Sequence, residues 1–271
     1  MKKAYFFSDT HLGASFFPDS RQRELKVVEF LDYISKDASE IYLLGDILDY
    51  WYEYRYVVPR GFVRFFGKLA ELSDRGVKIT WLIGNHDIWI FDYLPQELGI
   101  EVIDGTLVTE IMGTRILMAH GDGVWQHSRQ FRMLRALFRN KTCQRLFAAI
   151  HPRWTIPFAY AWSRHSRKGD MQKEEADIAL PPFDPQDPAN LTRTPANEMN
   201  FHIRKLYDFS AEYEKSNPDC KYFLYGHLHR MVQQALPGGG TMLILGDWIN
   251  KFSYAEFDGT QMSMKIFRSS K

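Results

Sequence analysis

Short apolar runs recur along the chain, and each gives way to a glycine or small polar residue with a carboxylate, amide or imidazole close behind. Ala4-Tyr5-Phe6-Phe7-Ser8 meets Asp9 and His11, and Ile41-Tyr42-Leu43-Leu44 meets Gly45-Asp46. Ile79-Thr80-Trp81-Leu82-Ile83 meets Gly84-Asn85-His86-Asp87, Ile116-Leu117-Met118-Ala119 meets His120-Gly121-Asp122, and Tyr222-Phe223-Leu224-Tyr225 meets Gly226-His227-Leu228-His229. A continuous apolar run bounded by turn residues is the pattern of a strand buried on both faces. A polar side chain delivered where such a strand ends lies where open α/β sheets carry their chemistry. One Gly-Asp pair is ordinary turn chemistry. Five such endings in one chain call for another explanation.

Between these runs the apolar period changes. Leu25, Val28, Leu31 and Ile34 form a helical stripe over residues 22–34, so the first strand, this helix and the strand ending at Asp46 make a βαβ unit. Residues 62–75 predict a second helix ended by Gly76. Short strands are expected at 101–103 and 107–112, with Gly113-Thr114 turning into the strand that ends at His120. Residues 47–60 hold Tyr50, Trp51, Tyr52, Tyr54 and Tyr56 and fit neither period. A helix over 198–215 precedes a strand-rich end at 224–226, 232–236, 242–245, 253–257 and 262–267. The expectation is an α/β domain of two sheets packed face to face, with helices outside. Residues 1–122 and 198–271 make the core, and 123–197 is an insertion.

The insertion departs from the rest in charge. The whole chain of 271 residues has a net charge of +1, yet residues 123–170 hold ten Lys or Arg against the single acid Asp170, a net of +9. Arg129, Arg132, Arg135 and Arg139 recur at helical spacing with Phe131, Leu134, Leu137 and Phe138 between them, which predicts a basic amphipathic helix. Residues 154–162 continue the apolar character, and 174–197, with five prolines, reads as a mobile loop. An arginine stripe is often only a solvated helix face. Here the interleaved Phe147, Trp154, Phe158, Tyr160 and Trp162 leave two functional readings, a surface for anionic lipid head groups and acyl chains or a groove for single-stranded nucleic acid. The aliphatic positions favour lipid.

Composition excludes more than it assigns. An apolar fraction of 45% rules out disorder of the whole chain. Cys143 and Cys220 have no partner at metal-ligand spacing and read as reduced thiols of a cytosolic protein. No apolar run approaches the roughly 20 residues needed to span a bilayer, so membrane contact would be peripheral.

The candidate ligands are Asp9, His11, Asp46, Asn85, His120, His227 and His229. All are oxygen or imidazole donors without a thiolate, a set suited to Mn²⁺, Fe²⁺ or Zn²⁺. Seven are too many for one ion. With Asp46 shared they divide into Asp9, His11 and His229 for one cation and Asn85, His120 and His227 for a second, the two-ion arrangement used for in-line displacement at phosphorus. His127, His151, His165 and His202 lack such company and read as ordinary surface or core histidines, as Asp49 reads as structural.

Together, Asp9-Thr10-His11, Gly45-Asp46, Gly84-Asn85-His86-Asp87, His120-Gly121-Asp122 and Gly226-His227-Leu228-His229 resemble the ordered blocks of the calcineurin-like metallophosphoesterases. The resemblance implies a four-layer αββα fold, the same two-ion ligand set with Mn²⁺ foremost, His86 as acid for the leaving group with Asp87 orienting it, and Asp122 behind the imidazoles. Within that family the runs Phe7 to Gly13 and Leu44 to Trp51, and a basic insertion after His120-Gly121-Asp122, are most similar to the UDP-2,3-diacylglucosamine hydrolases of lipid A biosynthesis. That branch implies a nucleotide-linked acylated sugar as substrate, cleavage of its diphosphate bond, and a peripheral place on the cytoplasmic face of the membrane. Arg164, Arg167, Lys168 and His127 are then the candidate substrate contacts. The chain departs from the best-known members in carrying His86 where they carry arginine, and Gln126-His127-Ser128 where they place acidic substrate contacts. A phosphodiesterase of nucleotides or DNA, and a scaffold without turnover, are the rival readings.

Overall fold

The computed structural model describes residues 2–15, 17–124, 129–161 and 196–269. Two mixed sheets form. The first has the strand order β11-β10-β1-β2-β3-β4, where β1 is Lys3–Phe7, β2 Ala38–Leu44, β3 Lys78–Leu82, β4 Glu101–Ile103, β10 Ser253–Phe257 and β11 Met262–Ile266. Strands β1 to β4 run parallel, while β10 and β11 close the edge antiparallel. The second sheet has the order β5-β6-β7-β9-β8, built from Leu107–Ile111, Thr114–Ala119, Cys220–Tyr225, Thr241–Leu245 and Met231–Ala235, with β6, β7 and β9 parallel.

Alternation within the strands makes the layers. Ala4, Phe6, Tyr42, Leu44 and Leu82 face Ile116, Met118, Leu224, Leu243 and Leu245, forming a dry core between the sheets. The opposite face of the first sheet, Tyr5, Phe7, Ile41, Leu43 and Trp81, packs on α1 (Ser20–Ile34) and α2 (Val63–Asp74) through Val27, Phe30, Leu31, Phe65 and Leu69. The outer face of the second, Leu117, Phe223, Tyr225 and Ile244, is covered by Ile203 and Leu206 of α7 (Phe201–Ser216). This is the four-layer αββα arrangement. The sheets are not, however, divided into an N-terminal and a C-terminal one. The last two strands return to pair beside β1, extending the first sheet at the edge opposite β4.

The aromatic stretch without a period turns out to be a bed for the insertion. Three helices lie over it: α4 (Arg129–Arg139), α5 (Lys141–Ala149) and α6 (152–161). Tyr52 packs on Phe147 at 4.9 Å and donates to the Gln144 carbonyl at 2.6 Å. Trp89 stacks on Phe147 and donates to the Phe138 carbonyl at 2.9 Å. The hydroxyls of Tyr54 and Thr155 are hydrogen-bonded. The arginine stripe is also divided. Arg139 forms a two-pronged pair with Asp104, and Arg135 lies 3.7 Å from Asp122, whereas Arg129 and Arg132 are exposed. The proline-rich segment of the insertion lies outside the described residues.

Candidate dinuclear metal centre

The parallel strands β1, β2, β3, β6, β7 and β9 point their C-terminal ends the same way, and the loops leaving them meet across the seam between the sheets. On one side the β1–β2 ladder continues into the loops, since Asp9 N–H donates to the Gly45 carbonyl, His11 to Asp46 and Leu12 to Ile47, at 3.1, 3.0 and 2.9 Å. On the other, Gly226 N–H donates to the His120 carbonyl at 2.9 Å. The two sides are joined by Asp9 itself, whose Oδ2 accepts from His227 N–H at 3.0 Å. A Cβ at Gly226 would sit 2.7 Å from that oxygen, so the turn needs glycine there.

Three groups of ligand atoms result among the described residues, each within 4.8 Å: Asp9, His11 and His229; Asp46, His120 and His227; and, between them, His11, Asp46 and His86. Asp46 Oδ2 lies between the first two, 3.3 Å from His120 Nε2 and 3.9 Å from His11 Nε2. Asn85 Oδ1 is 3.1 Å from His120 Nε2, which puts it with the second group. All seven sequence-derived candidates are thus brought together in one place. Five of them, Asp9, His11, Asp46, His227 and His229, have φ between 43° and 67°. Non-glycine residues in this left-handed region are uncommon, and each costs about 1–3 kcal/mol unless the surroundings hold it.

The donors suit cations. Asp9 is fully buried, and its Oδ1 accepts no hydrogen bond although His229 Nε2 is 3.2 Å away, an orphaned oxygen of the kind a cation satisfies. Burial pushes the Asp9 carboxyl up, but the His229 and His11 imidazoles outweigh it and hold it well below the usual range. Asp46 is likewise held down, by His120 and His86 against its burial. Burial and the neighbouring His120 charge push His227 down to about 4, leaving it neutral as a metal ligand must be. His120 goes the other way: burial lowers it, but the charge of Asp46 raises it further, so a cation entering there displaces a proton.

Around the cluster the arrangement departs from expectation at Asp87. Its carboxylate accepts from the backbone N–H of Ile47 and Gly84 at 2.9 and 2.7 Å and from Trp81 Nε1 at 3.2 Å, and forms no ion pair with His86. Burial and the charge of Asp46 push it up to about 6. Asp87 therefore fixes the turns that carry Asp46 and Asn85 and does not orient His86. That position falls to Asp49, read from sequence as structural. Its carbonyl is 3.0 Å from His86 Nδ1, and its Oδ1 lies 3.5 Å from His11 Nδ1. His86 itself sits at the cluster, its ring 4.9 Å from that of His11 and its N–H donating to Asp46 Oδ1 at 2.8 Å. His120 Nδ1 is set 2.8 Å from the Leu44 carbonyl, while the Asp122 charge reaches both His120 and His227.

A sixth strand ending was legible and missed. Leu243-Ile244-Leu245-Gly246-Asp247 repeats the pattern of Leu44-Gly45-Asp46. Asp247 Oδ1 accepts from the N–H groups of Ile249 and Asn250, and its Oδ2 pairs with Lys251, which donates to the His229 carbonyl at 2.6 Å. This holds the His229 turn in place. His127, Arg164, Arg167 and Lys168 lie outside the described residues.

The fold and the donor clusters suit a metal-dependent phosphoesterase, and a family model agrees: the chain belongs to the calcineurin-like phosphoesterases, matched over residues 2–231. Among curated proteins it is 41% identical to the UDP-2,3-diacylglucosamine hydrolase of Porphyromonas gingivalis over 266 residues, 97% of each chain. It is 28% identical to the protein of that name from Neisseria meningitidis serogroup B, over 93% of this chain and 92% of the other. A solved phosphoesterase from E. coli, Yfce, aligns with 94% of this chain and 88% of its own at 15% identity and a TM-score of 0.42.

Proposed function

We propose that this enzyme hydrolyses the diphosphate bond of UDP-2,3-diacylglucosamine, giving UMP and the acylated sugar 1-phosphate in lipid A biosynthesis. The observation that carries the substrate is the 41% identity with the Porphyromonas hydrolase along 97% of both chains. The reaction type rests on the donor groups that lie on either side of Asp46 Oδ2. Asp9, His11 and His229 would hold one divalent ion and Asn85, His120 and His227 the other, Mn²⁺ being the choice among hard and borderline cations for this thiolate-free set. Bound there, such ions supply a nucleophile at neutral pH and neutralise charge on phosphoryl oxygens.

The chain's own residues do the rest. His86, with Nδ1 fixed by the Asp49 carbonyl, presents Nε2 to protonate the departing oxygen. Asp87 and Gly84 hold the turn on which His86 and Asn85 sit. The insertion 123–197 takes the lipid half. Met133, Leu137, Leu146, Ile150, Trp154 and Phe158 are exposed on α4 to α6 beside the exposed Arg129, Arg132, Lys141, Arg145 and Arg153. Apolar side chains flanked by cations fit acyl chains and an anionic bilayer surface, and four of the six being non-aromatic argues against base stacking. No helix among the described residues is long and apolar enough to cross a membrane, so the contact proposed is peripheral, on the cytoplasmic face.

Incubating the purified protein and Mn²⁺ with UDP-2,3-diacylglucosamine should release UMP, read by chromatography. Cleavage of a generic phosphodiester without UMP release would refute the substrate.

A further inference from the structure

A second feature, lined in part by the loop that follows His11, has no part in the reading above. Between the loop after β1 and the loop before α2 lies a cavity of about 360 Å³, lined by Gly13, Arg21, Glu24, Arg60, Arg64 and Tyr160 among others. That is within the range of small-molecule pockets, roughly 300–1,000 Å³. Arg21, Arg60 and Arg64 are exposed, and no ion pair joins any of them to an acid among the described residues. The one carboxylate in the wall is already engaged. Glu24 Oε1 accepts from the backbone N–H groups of Arg64 and Phe65 at 2.8 and 3.1 Å, closing the start of α2, which has no side-chain cap of its own. Three guanidiniums against one carboxylate leave the cavity a net positive lining, which suits an anionic ligand with several acceptor oxygens.

The cavity is tied to the metal centre through the chain. Gly13 is two residues beyond His11 on the same loop. Tyr160 packs edge-on to Tyr50 at 5.5 Å, next in the chain to Asp49, whose carboxylate lies 3.5 Å from His11 Nδ1. An acyl chain cannot occupy it, since covering three unpaired cations with hydrocarbon is strongly unfavourable.

We propose that this pocket binds the nucleoside monophosphate half of the substrate: Arg21, Arg60 and Arg64 take its phosphate, ribose and base oxygens, and the Tyr160 ring flanks the base. The assignment rests on the hydrolase reading for the identity of the substrate. It divides the molecule about the scissile bond, with the nucleotide on the Arg21–Arg64 side and the lipid along the apolar face of α4 to α6.

The test is calorimetric titration of UMP into the Mn²⁺-loaded full-length protein and into R21A, R60A and the double variant. Each charge removed should weaken UMP about tenfold, as expected for a charge-assisted hydrogen bond. KM for the lipid-linked substrate should rise in step, with kcat moving less, and R60K should recover part of the loss. Sedimentation with phosphatidylglycerol vesicles should be the same for all variants. UMP affinity within twofold across the set, or no UMP binding by the parent, overturns the proposal. So does loss of vesicle binding with UMP affinity retained, which would assign the arginines to lipid head groups. If the parent binds UMP through these arginines but does not split the substrate, the hydrolase reading fails and the nucleotide pocket stands.

Discussion

Asp46 is held from every side before any cation arrives: its N–H end by the Gly45 turn, its Oδ1 by the His86 amide, its Oδ2 between His120 and His11. Asp46→Asn keeps the shape and removes the charge that lies between the donor groups. Metal-dependent turnover should fall on the order of 10³-fold, because several kcal/mol of charge stabilisation is lost at about 1.4 kcal/mol per decade. His86 and Asp87 are neighbours with separable roles, and their variants should part accordingly. His86→Gln should lower kcat by about 10²–10⁴-fold with bound metal unchanged by atomic absorption. Asp87→Asn should instead lower stability by about 1–3 kcal/mol in urea, since one of three backbone and indole donors loses its charged acceptor, and leave the pH profile of kcat where it was. At this scale the sequence was informative because a ligand announces itself by type and by the strand it follows. Roles that depend on direction were not: Asp87 directly follows His86 and Asp49 lies three residues beyond Asp46, and only the fold shows that the first carboxylate turns inward to Ile47 and Gly84.

Elements are joined here by single carboxylates that accept from several backbone amides at once. Glu53, in the aromatic stretch, caps α3 (Tyr93–Leu98) by accepting from the N–H groups of Asp92 and Tyr93 at 2.8 and 3.2 Å, and takes the Trp51 indole on its other oxygen. Glu53→Ala should cost about 1–3 kcal/mol by leaving those donors unpaired, and should loosen the Trp89 ledge under α5, a change visible in tryptophan fluorescence. The strands and the first two helices followed from periodicity to within two residues at their ends, except that β2 and β7 begin three and four residues earlier than expected. The bed at 47–60 did not, because Tyr50, Tyr52 and Trp51 are buried between two partners and no face is left for water to mark a period. Sheet membership was also hidden, since alternation in β10 and β11 says how they are buried but not beside which strand.

For the molecule as a whole, a net charge of +1 conceals a separation in which the bases gather on the insertion. Replacing Trp154, 70% exposed, and Phe158, 62% exposed, by alanine should reduce binding to anionic vesicles by about tenfold or more, from roughly 1.5–3 kcal/mol per large apolar side chain transferred. Raising ionic strength should weaken what remains. UMP release from a short-chain, water-soluble analogue should be affected far less, which separates surface attachment from chemistry.

Two of the donor groups take members from both sheets: Asp9 and His11 with His229, Asp46 with His120 and His227. A cation seated in either is therefore a rivet through the two halves of the sandwich, and its loss is felt along the whole joint. Chelation should speed deuterium uptake at the ends of β1, β2, β6 and β7 together, while the far ends of the same strands keep their protection.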